Sequence, residues 1–286
     1  MSKSFDHLWR FLSEIRAPYF AAIGLPILLG TAIAWATVGE FNLSLFALSL
    51  LAGIFLQAGA NMTNDFFDYQ LDDRTPGWTI IPPQQVLQGA LGFFVVGTMV
   101  GLYVVLATGP LTLLLGAIGI ASGYAYSAPP FRLSGSGMGE LLAGANLGLL
   151  TTAGAYYVQT LRVEPLVIWT ALPVALLMAA ALVLNGFSSH KLQQGRSLWA
   201  RLGRGWSGWA YALPALGAYA VLIIGVVVGV LPQVTLLGLL GLPLAAGAVA
   251  GAQLDRFPFA SASALGAHLS TTALLVLAFL VEAGLR

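Results

Sequence analysis

Residues 42–72 read NLSLFALSLLAGIFLQAGANMTNDFFDYQLD, a run of apolar residues closing on Asp65, Asp68 and Asp72. The apolar part, 42–63, has the ~20 residues that a helix needs to cross a bilayer core, so the stretch is predicted to be a membrane span whose end carries acids at the polar interface. In a helix the three aspartates fall at i, i+3 and i+7 on one face, and that face continued backwards collects Asn64, Asn61 and Gln57. An ionised side chain at the centre of a spanning helix costs roughly 2.5–3.5 kcal/mol on insertion scales, so a polar stripe at such a place marks a functional face. Like charges 4 Å apart repel by about 4 kcal/mol at an effective dielectric of 20, and a cation relieves that repulsion. Carboxylates with an amide beside them are hard oxygen ligands of the kind Mg²⁺ takes, together with substrate phosphates. The competing reading of the same residues is a solvated end of an interfacial helix.

The rest of the chain repeats the apolar pattern. Of its 286 residues 58% are hydrophobic and 8% charged, against about 25% charged in soluble domains. Segments long enough to span lie at about 17–38, 42–63, 88–108, 110–127, 140–160, 165–187, 207–231, 233–252 and 262–284, each near the ~20 residues a crossing requires. The fold class is therefore all-α, a multi-pass membrane protein of nine transmembrane helices. No cleavable leader is expected, since the first apolar segment is too long and no small-residue cleavage site follows it. Prolines 26, 173, 214 and 243 are expected to kink helices. Gly139, Ala143, Gly144, Gly148 and Gly154 are expected to let helices pack closely.

With nine spans and a cytoplasmic N-terminus, Lys3, Arg10, Arg16, Arg74, Arg132, Lys191, Arg196, Arg201, Arg204 and Arg256 fall on the cytoplasmic side, leaving Arg162 and Arg286 outside. That asymmetry obeys the positive-inside rule and puts the acidic stripe on the cytoplasmic side, with the plasma membrane of a prokaryote as the expected location. A net charge of +1 builds no nucleic-acid-binding face. The absence of cysteine excludes disulfides, thiolate metal sites and cysteine nucleophiles. Three cytoplasmic loops, 65–88, 126–140 and 185–206, hold nearly all the polar residues fit for chemistry. The first and third each follow an even-numbered helix ending in an Asn-led polar run, which suggests two related halves, roughly 1–160 and 161–286.

The chain resembles the UbiA-type intramembrane prenyltransferases, and among them the 1,4-dihydroxy-2-naphthoate polyprenyltransferases of menaquinone synthesis. The resemblance rests on Ile15-Arg16-Ala17-Pro18 with Leu28-Leu29-Gly30-Thr31, the Asn64–Asp72 acidic motif, and Tyr126-Ser127-Ala128-Pro129-Pro130-Phe131-Arg132-Leu133. It continues through Gly139-Glu140-Leu141, Gly154-Ala155-Tyr156-Tyr157-Val158-Gln159-Thr160 and Arg201-Leu202-Gly203, so that it covers nearly the whole chain as one domain. It implies a ring of nine helices around a central cavity, open laterally to lipid and capped by cytoplasmic loops. It also implies binding of a polyprenyl diphosphate through Mg²⁺ held by two Asp-rich motifs, ionisation to an allylic cation, and alkylation of an aromatic acceptor. Leaving diphosphate needs its charge neutralised, and the cation needs dry, π-rich walls.

Asn64, Asp65, Asp68 and Asp72 match the first motif, with Asp65, Asp68 and Asp72 as the catalytic acids and metal ligands, and Arg132 matches a basic residue of the loop after helix four. Asn61, Asn64, Tyr126, Arg132, Asn185, Lys191 and Arg196 are the candidate substrate-binding residues. The second motif departs from the family pattern: Asn185-Gly186-Phe187-Ser188 is followed by Ser189, and Gln193 stands at the second acid's position. Ser134 replaces a frequent lysine, and Trp78 lies where glycine and basic residues are usual. Neutral Ser and Gln bind Mg²⁺ poorly, whereas His190, Lys191 and Arg196 are able to contact a diphosphate directly. The same basic run also fits the positive-inside rule and lipid-headgroup contact.

Phe66, Phe67, Tyr69, Tyr124, Tyr126, Tyr156 and Tyr157 are candidate prenyl-cavity walls, with ordinary packing the better reading for any one of them. Trp199, Trp206 and Trp209 are predicted to form an interfacial belt. His7 and His268 are read as interfacial and packing residues. Three functions remain open on the sequence: an active prenyltransferase; an inactive relative that holds a quinone, pigment or other isoprenoid lipid as a subunit of a larger membrane complex; and a prenyl-diphosphate lyase or terpene cyclase. A transporter is disfavoured, because the ionisable groups gather on one side.

Overall fold

The structure, a computed structural model, describes residues 20–71, 82–188 and 198–285. Among these residues there is no strand, and nine helices are long and apolar enough to cross a membrane. In chain order α1 is Ala21–Val38, α2 Leu43–Leu71, α3 Pro83–Thr108, α4 Pro110–Ser127, α5 Met138–Thr160 and α6 Pro165–Ser188. A short α7, Leu198–Leu202, precedes α8, Ser207–Val227; α9 covers Gln233–Gln253 and α10 Phe257–Gly284. All nine expected spans are present.

The differences at their ends have local causes. The acidic stretch from Asp65 to Leu71 is the final part of α2, not the start of a loop. α3 begins at Pro83, five residues before the expected start, because proline is tolerated in the first turn, where its missing N–H has no intrahelical partner. α10 begins early for the same reason, with Pro258 in its first turn. Pro26, Pro173 and Pro214 do lie inside helices, but Pro243 does not: α9 is a 3₁₀ helix over Gln233–Gly241 and becomes α-helical at Leu242, so Pro243 occupies a first turn.

The described chain packs as two units, one drawn from 20–24 and 47–132, the other from 25–46 and 133–285. In the first, the helices approach through small residues. A Cβ on Gly97 would lie 2.9 Å from Leu56, and one on Gly59 3.1 Å from the Ala90 carbonyl, while Ala58, Met62, Val86 and Ala90 bury a small core with Phe66 and Phe93 against it. In the second, α6 is the most buried span. Its Ala175 backbone meets Gly144 and Gly148 of α5 so closely that a Cβ on Gly148 would stand 2.4 Å from the Ala175 Cα. This is the close small-residue approach by which helices pack in lipid without a hydrophobic driving force. At the same place α5 passes through a π-helical stretch, Ala145–Leu150, and the Thr151 hydroxyl donates to the Asn146 carbonyl at 2.8 Å. The main core holds Leu177, Leu184, Phe187, Tyr211, Leu222, Leu275 and Phe279, and His268 lies fully buried in α10.

Candidate active site

The acidic helix end is built from the inside of α2 outwards. Asn61, Thr63 and Asn64 are buried, a placement that a lipid-facing helix avoids unless each polar group is satisfied. The Gln57 amide donates to Asn61 Oδ1 at 2.9 Å, Thr63 donates to the Gly59 carbonyl at 2.8 Å, and Asn64 Nδ2 donates to Ser127 Oγ at 3.1 Å. Two members of the polar stripe, Gln57 and Asn61, are thus bonded to each other, and a third, Asn64, is bonded across to the next helix. The contact with α4 is made at Ser127, next in sequence to the half-buried Tyr126.

Beyond this anchor Asp65 and Asp68 sit half-buried, one helical turn apart. Between them in sequence are Phe66 and Phe67, whose rings meet edge to face with centroids 5.1 Å apart. Over the Phe67 ring stands Arg132, its guanidinium carbon 5.9 Å from the centroid. Arg132 has φ +43°, in the left-handed region that a residue without special tolerance adopts only when its surroundings hold it there. Its N–H bonds back to the Ala128 carbonyl at 2.9 Å. Its Nε is buried with no hydrogen-bond partner.

Two carboxylates a turn apart suit Mg²⁺, which takes one or two such ligands and fills its octahedron with water and phosphate oxygens. Among the described residues no three His, Asp or Glu side chains converge on one point. Asp72, the third acid of the motif, lies outside the described residues, as do Tyr69's side chain, Ser189, His190, Lys191, Gln193 and Arg196. Asn185 is exposed on the last turns of α6, in the second packing unit.

In that second unit the reading of Trp199 needs correction. Trp206 and Trp209 are exposed, as a belt requires, but Trp199 is only 6% exposed. Its ring packs at 5.4 Å from that of Phe187 and directly over Gly186, where a Cβ would stand 2.5 Å from the indole. Its Nε1 donates to Glu140 at 3.2 Å. Among the candidate prenyl-cavity aromatics, Tyr156 is a fully buried core residue, and Phe66 packs on the small core of the first unit.

The sequence profile of the UbiA prenyltransferase family matches residues 23–256. The chain belongs to that family. A 2-carboxy-1,4-naphthoquinone phytyltransferase from Synechocystis is 29% identical over 83% of this chain and 80% of its own length. A 1,4-dihydroxy-2-naphthoate octaprenyltransferase from Bacillus subtilis is 26% identical over 61% of this chain and 59% of its own. Among solved structures, a UbiA homologue from Aeropyrum pernix matches with a TM-score of 0.70 at 19% identity, covering 92% of this chain and 97% of that one. A UbiA homologue from Archaeoglobus fulgidus bound to GPP and Mg²⁺ matches with a TM-score of 0.66 at 14% identity, covering 96% and 99%. At these identities the structural likeness establishes the UbiA fold.

Proposed function

We propose that this UbiA family member transfers a polyprenyl group from a polyprenyl diphosphate to an aromatic quinone precursor of the naphthoate type, at the cytoplasmic face of a prokaryotic plasma membrane. The observation that supports the reading is the placement of Arg132 over the ring of Phe67, a residue that lies between Asp65 and Asp68 in sequence, with a buried guanidinium nitrogen that has no hydrogen-bond partner. The naphthoate-type acceptor is favoured by the two curated relatives named above.

In this reading Asp65, Asp68 and Asp72 hold Mg²⁺, which when bound neutralises the diphosphate as it leaves. Arg132 supplies a forked cationic donor to the diphosphate oxygens. Asn64 also ties the acidic helix end to α4 through Ser127, and Asn61, Asn64, Tyr126, Asn185, Lys191 and Arg196 complete the binding of substrate. The allylic C–O bond breaks with its electron pair going to diphosphate. A ring carbon of the acceptor then bonds to the allylic carbon and regains aromaticity by releasing a proton or, from a carboxylated position, carbon dioxide. Apolar walls keep water from the cation meanwhile. The domain is the whole chain, built of related halves of roughly 1–160 and 161–286.

The test is prenyl transfer by the purified protein, with geranylgeranyl or longer diphosphates and 1,4-dihydroxy-2-naphthoate. Mg²⁺-dependent product supports the reading. Loss of the diphosphate without an alkylated acceptor makes the protein a lyase or cyclase. No turnover, with an isoprenoid retained and other membrane subunits copurifying, makes it an inactive binding subunit.

A further inference from the structure

The short α7 is far too small to span a membrane, yet it turns apolar side chains outwards. Leu198 and Leu202, one helical turn apart, are exposed, and so are Trp206, just before α8, and Trp209 in its first turn. This strap is held from behind. Trp199 is seated on Gly186 and Phe187, and the Leu198 N–H donates to the Gly135 carbonyl at 2.9 Å. Glu140, which accepts from the Trp199 indole, is itself fixed, since the Gly135 and Gly137 N–H groups reach its two oxygens at 3.0 and 2.9 Å. The outward apolar face is therefore anchored through its buried side.

Arginines stand beside that face. Arg204 has its guanidinium carbon 5.2 Å from the centroid of the Phe257 ring, in the first turn of α10, and the Ser207 hydroxyl donates to its carbonyl at 2.7 Å. The ring contact brings Arg204 to the turn that also carries Arg256, while Arg201 lies on α7 three residues before Arg204. All three arginines are exposed. Of the nearby carboxylates, Glu140 is buried and already bonded, and Asp255, next to Arg256 in the chain, is exposed. One exposed acid beside three permanently charged guanidinium groups leaves the surface cationic. A ring face attracts a cation without accepting its hydrogen bonds, so Phe257 holds Arg204 and leaves its N–H donors to another partner.

We infer that the α7–α8 strap is a docking surface for anionic phospholipid: Leu198, Leu202, Trp206 and Trp209 enter the lipid interface, and Arg201, Arg204 and Arg256 hold the headgroup phosphates. Indole rings and short apolar helices with basic neighbours settle at that depth of a bilayer. Charge selects the lipid, because arginine forks match phosphate oxygens, whereas a zwitterionic headgroup brings its own cation into the same positive field. Such a surface is independent of prenyl transfer and is expected in an inactive member of the family as well.

The experiment titrates the full chain in neutral detergent with phosphatidylglycerol or phosphatidylcholine of the same acyl chains, and counts retained lipid by native mass spectrometry. Wild type is expected to bind phosphatidylglycerol about tenfold more tightly than phosphatidylcholine, with the preference shrinking as salt rises. The Arg201→Gln/Arg204→Gln/Arg256→Gln triple variant should bring the two lipids within about twofold, and Arg204→Lys, which keeps the charge, should retain most of the preference. Leu202→Ser/Trp206→Ser should weaken both lipids alike. Arg162→Gln, at an exposed arginine between α5 and α6, should change nothing. The changed side chains are exposed, and an unfolding temperature close to wild type without added lipid confirms that each variant is folded. Equal binding of the two lipids by wild type overturns the inference, as does a preference that survives in the triple variant or falls as far in Arg162→Gln. Displacement of phosphatidylglycerol by equimolar geranylgeranyl diphosphate also overturns it, by assigning the arginines to a prenyl diphosphate.

Discussion

The Arg132 guanidinium carbon stands 5.9 Å from the centroid of Phe67, and the Arg132 Nε is buried without a partner. A ring face attracts a cation but satisfies none of its N–H donors. The arrangement thus holds the arginine in place while leaving hydrogen-bonding capacity for an anion. Arg132→Ala is expected to lower kcat/KM for prenyl transfer by roughly 10- to 100-fold, in line with the about 1.5–3 kcal/mol of a hydrogen bond to a charged group. Arg132→Lys keeps charge but not the fork, and should recover only part of it. Phe67→Leu removes the π-face alone and should cost less than tenfold. Equal activity of Arg132→Ala and wild type would remove Arg132 from the site.

Asp68 is the inner test of the metal assignment. Asp68→Asn keeps shape and one acceptor oxygen but removes the charge that favours a divalent cation. Mg²⁺-dependent binding of a prenyl diphosphate should fall at least tenfold, and extra Mg²⁺ should restore part of it. Isothermal titration with and without Mg²⁺ reads both quantities. Binding that does not change between Asp68→Asn and wild type would mean that the stripe is a structural feature of α2.

The span pattern was legible because length and hydropathy suffice for it, and the acidic face was legible because a helical period puts Asp65 and Asp68 on one side. What escaped depends on tertiary neighbours. Trp199, Trp206 and Trp209 look alike in sequence, each close to arginines, yet only Trp199 faces Gly186, whose missing side chain opens the slot that buries it. Glu140 was quoted only as part of a motif; the spacing Gly137-x-x-Glu140 is that of a helix-capping pair and was a usable signal for its fold-back onto the loop. The π-helical turn at 145–150 has no local signature at all, and the 3₁₀ half of α9 was hidden because both helix types share an apolar composition.

Helix contact through glycine gives a stability prediction. Gly148→Ala puts a methyl 2.4 Å from the Ala175 Cα, and forcing a packed interface apart typically costs about 1–3 kcal/mol. The variant should unfold at a clearly lower temperature in detergent. Gly116→Ala, whose added methyl meets nothing within 4 Å, should leave the unfolding temperature near that of wild type.

The native chain has no cysteine, so single introduced cysteines report sidedness without background. Thr75→Cys and Gly195→Cys, at positions that follow α2 and α6 in sequence, should be labelled only from the cytoplasmic side. Leu161→Cys, between α5 and α6, should be labelled only from outside. Labelling of Thr75→Cys from the outer face would invert the orientation.

In the proposed reaction the altered second motif bears on how the leaving group is neutralised. With Ser189 and Gln193 in the acid positions, no carboxylate there competes for Mg²⁺, and Lys191 and Arg196 are the cations nearest in sequence. If they bind the diphosphate directly, each should contribute a charge-assisted contact of about 1.5–3 kcal/mol, so Lys191→Ala should slow turnover roughly 10- to 100-fold. Adding Ser189→Asp and Gln193→Asp to Lys191→Ala should then restore activity in part and make it steeper in Mg²⁺, since carboxylates recreate a metal site where a fixed charge was lost. In the wild-type background the same two acids should slow turnover at low Mg²⁺, because they pair with Lys191 and Arg196 when metal is scarce. A steady-state series over Mg²⁺ concentration for the four proteins separates the cases. Turnover that is indifferent to Lys191→Ala at every Mg²⁺ concentration would assign this basic run to lipid headgroups, not to substrate.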